Sequence, residues 1–315
     1  MSIRNRVAIA LLAAMFSLWT ACADTAEDEA DGDTLSDDGI EVFPGVVDSG
    51  GWMYVRGGAI DGSDDPGDYE VEAAIDGGAT VTLNADAVID DVLAVPVPDD
   101  FHTQLGGAGA TVRVTTPDGD TIEAKSPIYA VEDNGFGGRT SEPGWGMLGT
   151  VYALVQGAPQ LPDHDDPCDD PLVPEVPYEC PYTTMLVPNF AVPVTPFDQG
   201  FPGLSANLKE WFGIWFDGYL VASESGSYEL GLCSDDGSRL YLPGVSDDPV
   251  IVNDGQHSYQ CVGAEVELDA GRNRFKLDYF QGPANEIALE MYWTPPGGAS
   301  AIIPATQFRL FDEDF

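Results

Sequence analysis

Residues 226–241 read Gly-Ser-Tyr-Glu-Leu-Gly-Leu-Cys-Ser-Asp-Asp-Gly-Ser-Arg-Leu-Tyr. Apolar side chains occupy every second position from Tyr228 to Leu232, which is the period of a strand with one buried face. Asp235-Asp236-Gly237 then interrupts the pattern, because these residue types favour turns, and Leu240 resumes it. The stretch therefore predicts two strands joined by an acidic turn.

The same alternation continues toward the C terminus. Apolar residues recur at Val266 and Leu268, at Phe275, Leu277 and Tyr279, and at Ile287, Leu289, Met291 and Trp293. Their neighbours, such as Arg274, Lys276, Asp278 and Glu290, are expected on the solvent side of each strand. One buried and one wet face per strand predicts an antiparallel sandwich.

The N-terminal half, residues 41–132, reads as short strands separated by turn signals. A hairpin is indicated where Asp118-Gly119 separates two alternating runs, since both positions tolerate positive φ. The 36 glycines and 24 prolines also favour short strands over long helices. We predict an Ig-like β-sandwich here, which makes the whole chain all-β.

This half also resembles the IPT/TIG type of Ig-like domain. The residues that carry the resemblance are Pro44-Gly45, the strand between Gly51 and Gly57, Val95-Pro96-Val97-Pro98, and the series Gly109, Val112, Val114, Thr116 and Gly119. The resemblance implies a spacer or a protein-contact module. Residues 133–142, rich in Gly and polar residues, are expected to form a linker to the next domain.

The C-terminal half, residues 143–312, resembles the PA14 domain family. The motifs that carry the resemblance are Gly144 to Tyr152, Trp211-Phe212-Gly213-Ile214, Ser234 to Tyr241, Asn253-Asp254-Gly255-Gln256-His257, Val266 to Asn273, Phe275 to Phe280, Leu289 to Trp293 and Ile303-Pro304. The resemblance implies an antiparallel β-sandwich or barrel, and it implies carbohydrate binding as the usual role of the family.

The resemblance also implies a metal site. In the lectin members two consecutive aspartates hold Ca²⁺, which ligates sugar hydroxyls, and Asp235 and Asp236 occupy those positions here. A second loop of those members adds an asparagine oxygen; the matching position is Gln281, with Asn285 farther along. Ca²⁺ prefers about six to eight oxygen ligands, which suits paired carboxylates at a sharp turn. The alternative is an ordinary turn whose carboxylates accept main-chain N–H groups.

The charge of the chain excludes one class of partner. There are 54 acidic and 12 basic residues, which give a formal net charge of -42. A field of this sign repels polyanions, and a phosphate-binding surface needs clustered Lys and Arg, so we exclude nucleic acid. Acidic surfaces attract divalent cations, although solubility is a sufficient reason for most of these carboxylates.

Residues 1–22 have the composition of a signal peptide. Arg4 and Arg6 precede an apolar run from Val7 to Leu18, which is short for a transmembrane helix. We therefore expect the protein to be exported.

Two cleavage sites compete at the end of this segment. Leu18-Trp19-Thr20-Ala21-Cys22 resembles a bacterial lipobox, with Trp where Leu is usual, and predicts lipidation of Cys22. Ala21-Cys22-Ala23 also suits ordinary signal peptidase, which would release a secreted protein. Residues 23–40 have the acidic composition of a disordered tether, which favours the lipoprotein. The expected location is the bacterial cell envelope, at the outer membrane or cell surface, with a membrane anchor on Cys22.

The remaining cysteines indicate disulfides. They are Cys168, Cys180, Cys233 and Cys261, an even number in an exported chain. Three pairings are possible, and sequence proximity favours Cys168 with Cys180 and Cys233 with Cys261. The spacing does not match a zinc site.

No motif indicates an enzyme. A Gly-x-Ser-x-Gly elbow and a Gly-rich phosphate loop are absent, and His102, His164 and His257 are dispersed. The acidic run from Asp163 to Asp170 lacks the residue order of an EF-hand. We predict a noncatalytic surface protein that binds extracellular carbohydrate, with Ca²⁺ as a candidate cofactor. The alternatives are an adhesive protein-interaction module of the surface matrix and a noncatalytic accessory to polysaccharide degradation.

Overall fold

The structure is a computed structural model, which describes residues 39–75, 77–132, 139–162, 168, 170–173, 180–204 and 208–313. The predicted signal peptide, Cys22, nearly all of the predicted tether, and Asp163 to Asp166 with His164 lie outside these ranges, as do residues 133–138 of the predicted linker. The described residues belong to one compact unit.

The described chain is almost entirely β, which confirms the predicted fold class. Its strands are β1 (Glu41–Phe43), β2 (Val46–Asp48), β3 (Trp52–Arg56), β4 (Glu70–Ile75), β5 (Thr80–Asn84), β6 (Ala87–Ile89), β7 (Val92–Pro96), β8 (Ala110–Thr115), β9 (Thr121–Glu123), β10 (Tyr129–Val131), β11 (Met147–Ala153), β12 (Thr183–Val187), β13 (Ala191–Pro196), β14 (Phe212–Ala222), β15 (Gly226–Asp235), β16 (Ser238–Tyr241), β17 (Ile251–Asn253), β18 (Gln260–Leu268), β19 (Gly271–Gln281), β20 (Glu286–Thr294), β21 (Ala301–Ile302) and β22 (Phe308–Arg309). A short helix, α1 (Phe101–Leu105), and 3-10 turns at Pro66–Asp68, Phe197–Gln199 and Ala305–Gln307 complete the described elements.

The N-terminal half forms a sandwich of two four-stranded antiparallel sheets. Their strand orders are β1-β3-β7-β6 and β5-β4-β8-β9. The alternation of β8 is regular, with the side chains of Val112 and Val114 buried and those of Arg113 and Thr115 on the other face. This sandwich has its own apolar core, which also includes Phe101 of α1. The likeness to IPT/TIG domains stays a prediction.

The C-terminal half forms a larger sandwich. One sheet has the order β10-β2-β12-β11-β14-β19-β16-β17, with β22 beside β14, and the other has the order β13-β20-β15-β18, with β21 beside β20. β14 and β19 pair antiparallel along eleven residues, from Phe212 to Ala222. The residues that the alternation predicts to be inside, from Tyr228 in β15 to Trp293 in β20, form the core between the sheets.

The two halves share a sheet. β2 and β10 come from the N-terminal half, yet β2 pairs parallel with β12 through Val46 and Met185. An apolar seam continues this contact, in which the Phe311 ring meets the edge of the Tyr54 ring at a centroid distance of 5.5 Å. The seam fixes the two sandwiches against each other within one unit.

One residue expected on a wet face is buried. Asp278 is on the outer side of β19, as the alternation predicts, but it is 0% exposed. The reason is a second layer: the segment around Leu154 to Leu161 packs over Trp215 and Phe280 on the same outer face. Arg239 pairs with Asp278 beneath that segment. The predicted solvent exposure of Asp278 is therefore wrong.

Two disulfides brace the C-terminal half. Cys168 is bonded to Cys180, and Cys233 of β15 is bonded to Cys261 of β18, which are the pairs that sequence proximity favours. Along the described ranges, no helix has the length and apolarity needed to cross a membrane.

Candidate functional site

The acidic turn lies at one end of the C-terminal sandwich. Asp235 is the last residue of β15, Asp236 follows it, and the peptide bond between them is cis. The two residues are only 3% and 4% exposed. Because burying an ionised carboxylate is costly unless its oxygens are hydrogen-bonded or paired with a cation, their partners decide what the turn can do.

The Asp236 carboxylate accepts two main-chain hydrogen bonds. His257 N donates to Oδ1 at 3.0 Å, and Gly282 N donates to Oδ2 at 2.8 Å. These donors belong to two different loops, residues 254–259 between β17 and β18 and residues 282–285 between β19 and β20. Asp236 therefore brings three loops together, and one face of its carboxylate is fixed by backbone.

Two glycines permit this convergence. A Cβ on Gly237 would lie 2.8 Å from the main-chain nitrogen of Gly255, so no larger residue fits between the turn and the first loop. A Cβ on Gly282 would lie 3.1 Å from Asp236 Oδ2. The close approach of the loops therefore depends on the absence of side chains at both positions.

Asp235 is less well compensated. Its carboxylate accepts a hydrogen bond from the main chain of Tyr259, but burial and the neighbouring charge of Asp236 raise its pKa to about 6. Burial also raises the pKa of Asp236, against the two main-chain donors that lower it. The surroundings thus disfavour two negative charges at this turn.

No basic side chain in the described ranges offsets these charges by an ion pair with Asp235 or Asp236. Nor do these ranges contain a group of three or more His, Cys, Asp or Glu residues that could hold a metal ion. The protein thus offers two carboxylates whose charge is balanced only in part, by main-chain donors and the nearby His257. This donor set fits Ca²⁺, provided that carbonyl, water or ligand hydroxyl oxygens complete the coordination.

The structure places Gln281 differently from Asn285. The Gln281 side chain is fully buried; its Oε1 lies 2.5 Å from the Tyr279 hydroxyl, and its Nε2 donates to the Glu286 carbonyl at 3.2 Å. The same Tyr279 hydroxyl lies 2.7 Å from the Asp235 carbonyl oxygen. Gln281 therefore braces the turn from the core side. Gln281 is an even number of residues from Phe275 and Tyr279 along β19, and the side chains of both point inward. This spacing is the sequence signal for the orientation of Gln281.

Asn285 is exposed on the loop that follows Gly282. Its carbonyl oxygen accepts a hydrogen bond from Phe197 N at 3.2 Å, which fixes the backbone of the loop. The side chain is on the solvent side, in the loop that also anchors Asp236. Asn285 is thus the one of the two predicted ligand-binding side chains that a bound molecule can reach.

The loop between β17 and β18 is held by the polar side chains of His257 and Asn253. The His257 ring nitrogens lie 2.8 Å from the Asn253 carbonyl oxygen and 3.0 Å from that of Ser258, which agrees with a structural role. Asn253 Nδ2 donates to Ser234 Oγ at 2.9 Å. The main-chain donors of His257, Tyr259 and Gly282 could not be found from the sequence, because any residue except proline supplies an N–H group.

Comparison with known proteins supports the resemblance in this half. A family model described as the PA14 domain matches residues 196–307, which confirms the predicted family for that part of the chain. No curated protein matches the chain.

Three solved structures are similar to part of this chain. An anti-sigma factor domain-containing protein has a TM-score of 0.40 and 18% identity, with 54% of this chain and 50% of that one covered, so the chain spans half the length of this relative. The PA14 domain of the MpAFP antifreeze protein has a TM-score of 0.40 and 19% identity, with 53% of this chain and 92% of that one covered. A PA14 sugar-binding domain from an RTX adhesin has a TM-score of 0.39 and 20% identity, with 53% of this chain and 99% of that one covered.

Proposed function

We propose, on the premise that residues 196–307 form a PA14 domain, that this protein is a noncatalytic cell-surface protein that binds carbohydrate through Ca²⁺ held by Asp235 and Asp236. The ion, when bound, would supply coordination sites for two adjacent hydroxyls of a sugar. Export, the lipid anchor on Cys22 and the location in the cell envelope are parts of the same proposal.

The observation that carries the proposal is the uncompensated acid pair. Both carboxylates are buried and accept main-chain N–H groups, and within the described part of the chain no lysine or arginine forms an ion pair with them, although the nearby His257 offsets part of their charge. A carboxylate oxygen has two lone pairs, so each oxygen that accepts one N–H group can still ligate a cation. A divalent ion would balance the two charges, which is consistent with the pKa of Asp235 being raised to about 6 by burial and by the charge of Asp236.

The surrounding loops support a role in recognition. Because Asp236 is anchored to both of the neighbouring loops, a sugar on the ion would also contact residues 254–259 or 282–285. Asn285 is exposed on the second of these loops, where its amide can bond a hydroxyl. The ion would thus contribute affinity common to many diols, and the loops would contribute selectivity.

The direct test is binding of Ca²⁺ and then of glycans. Isothermal titration of the EDTA-treated protein with CaCl₂ should show binding to the wild type, and Asp235→Asn should weaken it at least about tenfold, which is a loss of roughly 1.4 kcal/mol. A glycan array should then show glycans that the wild type binds in Ca²⁺ but not in EDTA, and that Asp235→Asn does not bind even in Ca²⁺.

The chain offers a matched control for the substitution. Asp247 and Asp248 form another consecutive pair in the same half, but both are exposed. The double variant Asp247→Asn/Asp248→Asn removes the same kind of charge from a solvated loop, so it should leave Ca²⁺ binding unchanged.

Two results would count against the proposal. If Asp235→Asn and the wild type bound Ca²⁺ equally well, the acid pair would not be the metal site. If the protein bound Ca²⁺ but captured a matrix protein and no glycan, the adhesive alternative would replace carbohydrate binding.

A further inference from the structure

A concave region lies where the two sandwiches meet. This region, the junction cleft, has a volume of about 260 Å³ and is lined by Arg56 and residues 89–92 from the N-terminal half, and by Tyr219, Arg274 and residues 310–312 from the C-terminal half. Arg274 and Gln281 are seven residues apart on β19, which is roughly 24 Å along a strand. The junction cleft is therefore well separated from the acid pair.

Two guanidinium groups are held in the junction cleft by aromatic rings. Arg274 Cζ lies 5.2 Å from the ring centre of Tyr219, and Arg274 also pairs with Asp217. Arg56 Cζ lies 5.3 Å from the ring centre of Phe43, which belongs to the apolar seam. Stacking restricts both side chains, so their N–H donors are oriented before any ligand arrives.

Three carboxylates line the same cleft. They belong to Asp90 and Asp91, in the turn between β6 and β7, and to Asp312 near the C terminus. Among the residues that the structure describes, none of these carboxylates forms an ion pair with a basic side chain, and Arg56 forms none either. Arg274 is paired with Asp217, but Arg56 and the three lining carboxylates thus border one small volume without forming ion pairs with each other.

The chemistry of the lining selects a kind of ligand. Two guanidinium groups face three lining carboxylates and Asp217, which pairs with Arg274, and this excess of negative charge, with -42 on the chain as a whole, disfavours an anionic ligand. A hydroxyl both donates and accepts, so a polyol can bond arginine and aspartate side chains at once. The volume, slightly below the range of drug-sized pockets, suits one sugar ring better than a peptide.

We propose that the junction cleft is a second saccharide site, which binds one neutral pyranose unit without a cation. Arg56 and Arg274 donate to ring or hydroxyl oxygens, and Asp91 and Asp312 accept from hydroxyls. The site exists only when the two sandwiches are packed together, since each supplies one guanidinium group. This inference is independent of the calcium site and extends the proposed function to a second point of contact with a glycan.

The test uses the full chain with the acid pair disabled. Saturation-transfer difference NMR of the Asp235→Asn variant in EDTA, with the methyl pyranosides of glucose, galactose and mannose as probes, should show transfer to at least one of them. Arg56→Met and Arg274→Met should each weaken that binding about tenfold, as expected for the loss of charge-assisted hydrogen bonds.

A matched control is Arg113→Met. Arg113 pairs with Glu123 on another sheet of the N-terminal half, far from the junction cleft lining, and its loss should leave sugar binding unchanged. Asp91→Asn keeps the shape of the cleft but removes a negative charge from it. If a methionine variant does not fold, Asp91→Asn still tests the site. Melting temperatures of all variants report their folding.

The outcomes separate this site from the acid pair. Transfer to none of the pyranosides in EDTA would overturn the cleft proposal while leaving the calcium site standing. Binding of glucuronate or triglycine in place of the neutral sugars would also overturn it, as would sugar binding that folded Arg274→Met and Asp91→Asn variants retain in full. Glycan binding in EDTA together with no Ca²⁺ binding would support the cleft and reject the acid pair.

Discussion

The C-terminal sandwich buries aspartates in two contrasting ways. Asp278, on the outer face of β19, is 0% exposed, and its Oδ2 accepts a hydrogen bond from Arg239 Nη2 at 2.9 Å. Asp235 and Asp236, at the end of β15, are almost as deeply buried, yet within the described ranges they have main-chain donors and the nearby His257 but no lysine or arginine partner. The first aspartate has a guanidinium partner inside the protein, and the second two have no such partner in the described ranges.

This difference indicates where a bound cation would stabilise the folded protein. A buried carboxylate with a guanidinium partner has its charge balanced, so a metal ion adds nothing there. Two adjacent carboxylates repel each other, and main-chain dipoles balance only part of the charge, as the raised pKa of Asp235 indicates. Burial alone therefore does not distinguish the two regions; the absence of an arginine or lysine partner does, and our proposal for Asp235 and Asp236 rests on that difference.

The largest effect is expected where the internal pair is broken. Arg239→Met leaves the Asp278 carboxylate buried without its cation and removes the hydrogen bond from Arg239 to the Pro162 carbonyl. The free energy of unfolding should fall by about 3 to 5 kcal/mol, with or without Ca²⁺. Urea unfolding followed by tryptophan fluorescence measures the change.

The double variant Arg239→Met/Asp278→Leu sharpens this result. It removes the stranded charge together with its partner, and it should recover much of the lost stability, because apolar replacement of a buried pair is often close to neutral. A double variant as unstable as Arg239→Met would show that the guanidinium acts through packing and its bond to Pro162.

The next largest effect is stabilisation by Ca²⁺, which should depend on Asp235 and not on the pair of Arg239 with Asp278. At a Ca²⁺ concentration one hundred times its dissociation constant, binding should raise the free energy of unfolding by about 2.7 kcal/mol. The increase should appear in full in the wild type and in Arg239→Met, and it should fall to about 1.4 kcal/mol or less in Asp235→Asn, which we expect to bind Ca²⁺ at least tenfold more weakly. Thermal denaturation with CaCl₂ and with EDTA measures it. An equal increase in Asp235→Asn would remove the contrast between the two regions.

The sequence predicts the strands of the C-terminal sandwich better than their surroundings. Alternation from Tyr228 to Leu232 and from Phe275 to Tyr279 assigns the buried faces correctly, because a strand side chain has only two directions. It does not show that β2 and β10 join the sheet through β12, since pairing between distant segments leaves no local pattern. The same limit hid the layer that covers Asp278.

The candidate site also has features that the sequence predicts and features that it does not. The Asp-Asp pair is visible in the sequence through the family resemblance, and the inward direction of Gln281 follows from the parity of β19. The contacts that hold the pair come from main-chain nitrogens of two other loops, including that of Gly282. Main-chain donors have no residue-type signature, so only the fold reveals them.

A smaller effect should follow from crowding the anchor of Asp236. Gly282→Ala introduces a Cβ that would lie 3.1 Å from Asp236 Oδ2 and 3.1 Å from Phe280 Cζ, so the carboxylate or the loop must shift. We expect a loss of about 1 kcal/mol in stability and weaker Ca²⁺ binding. Gly231→Ala is the control, because its Cβ would meet no atom closer than 3.7 Å. Equal Ca²⁺ affinities for the two variants would contradict this role of the loop.

The smallest effect concerns the pH dependence of the calcium-free protein. The folded state raises the pKa of Asp235 from 3.8 to about 6, mainly by burial and then through the charge of Asp236. Between these values the folded protein holds more protons at this residue than the unfolded chain does, so the contribution of Asp235 to stability falls as the pH rises through that window. Asp235→Asn cannot titrate, and in EDTA its stability should decline less than that of the wild type between pH 4 and 6, as urea unfolding at each pH would measure. Identical slopes for the two proteins would mean that the acid pair is already balanced inside the fold, as Asp278 is.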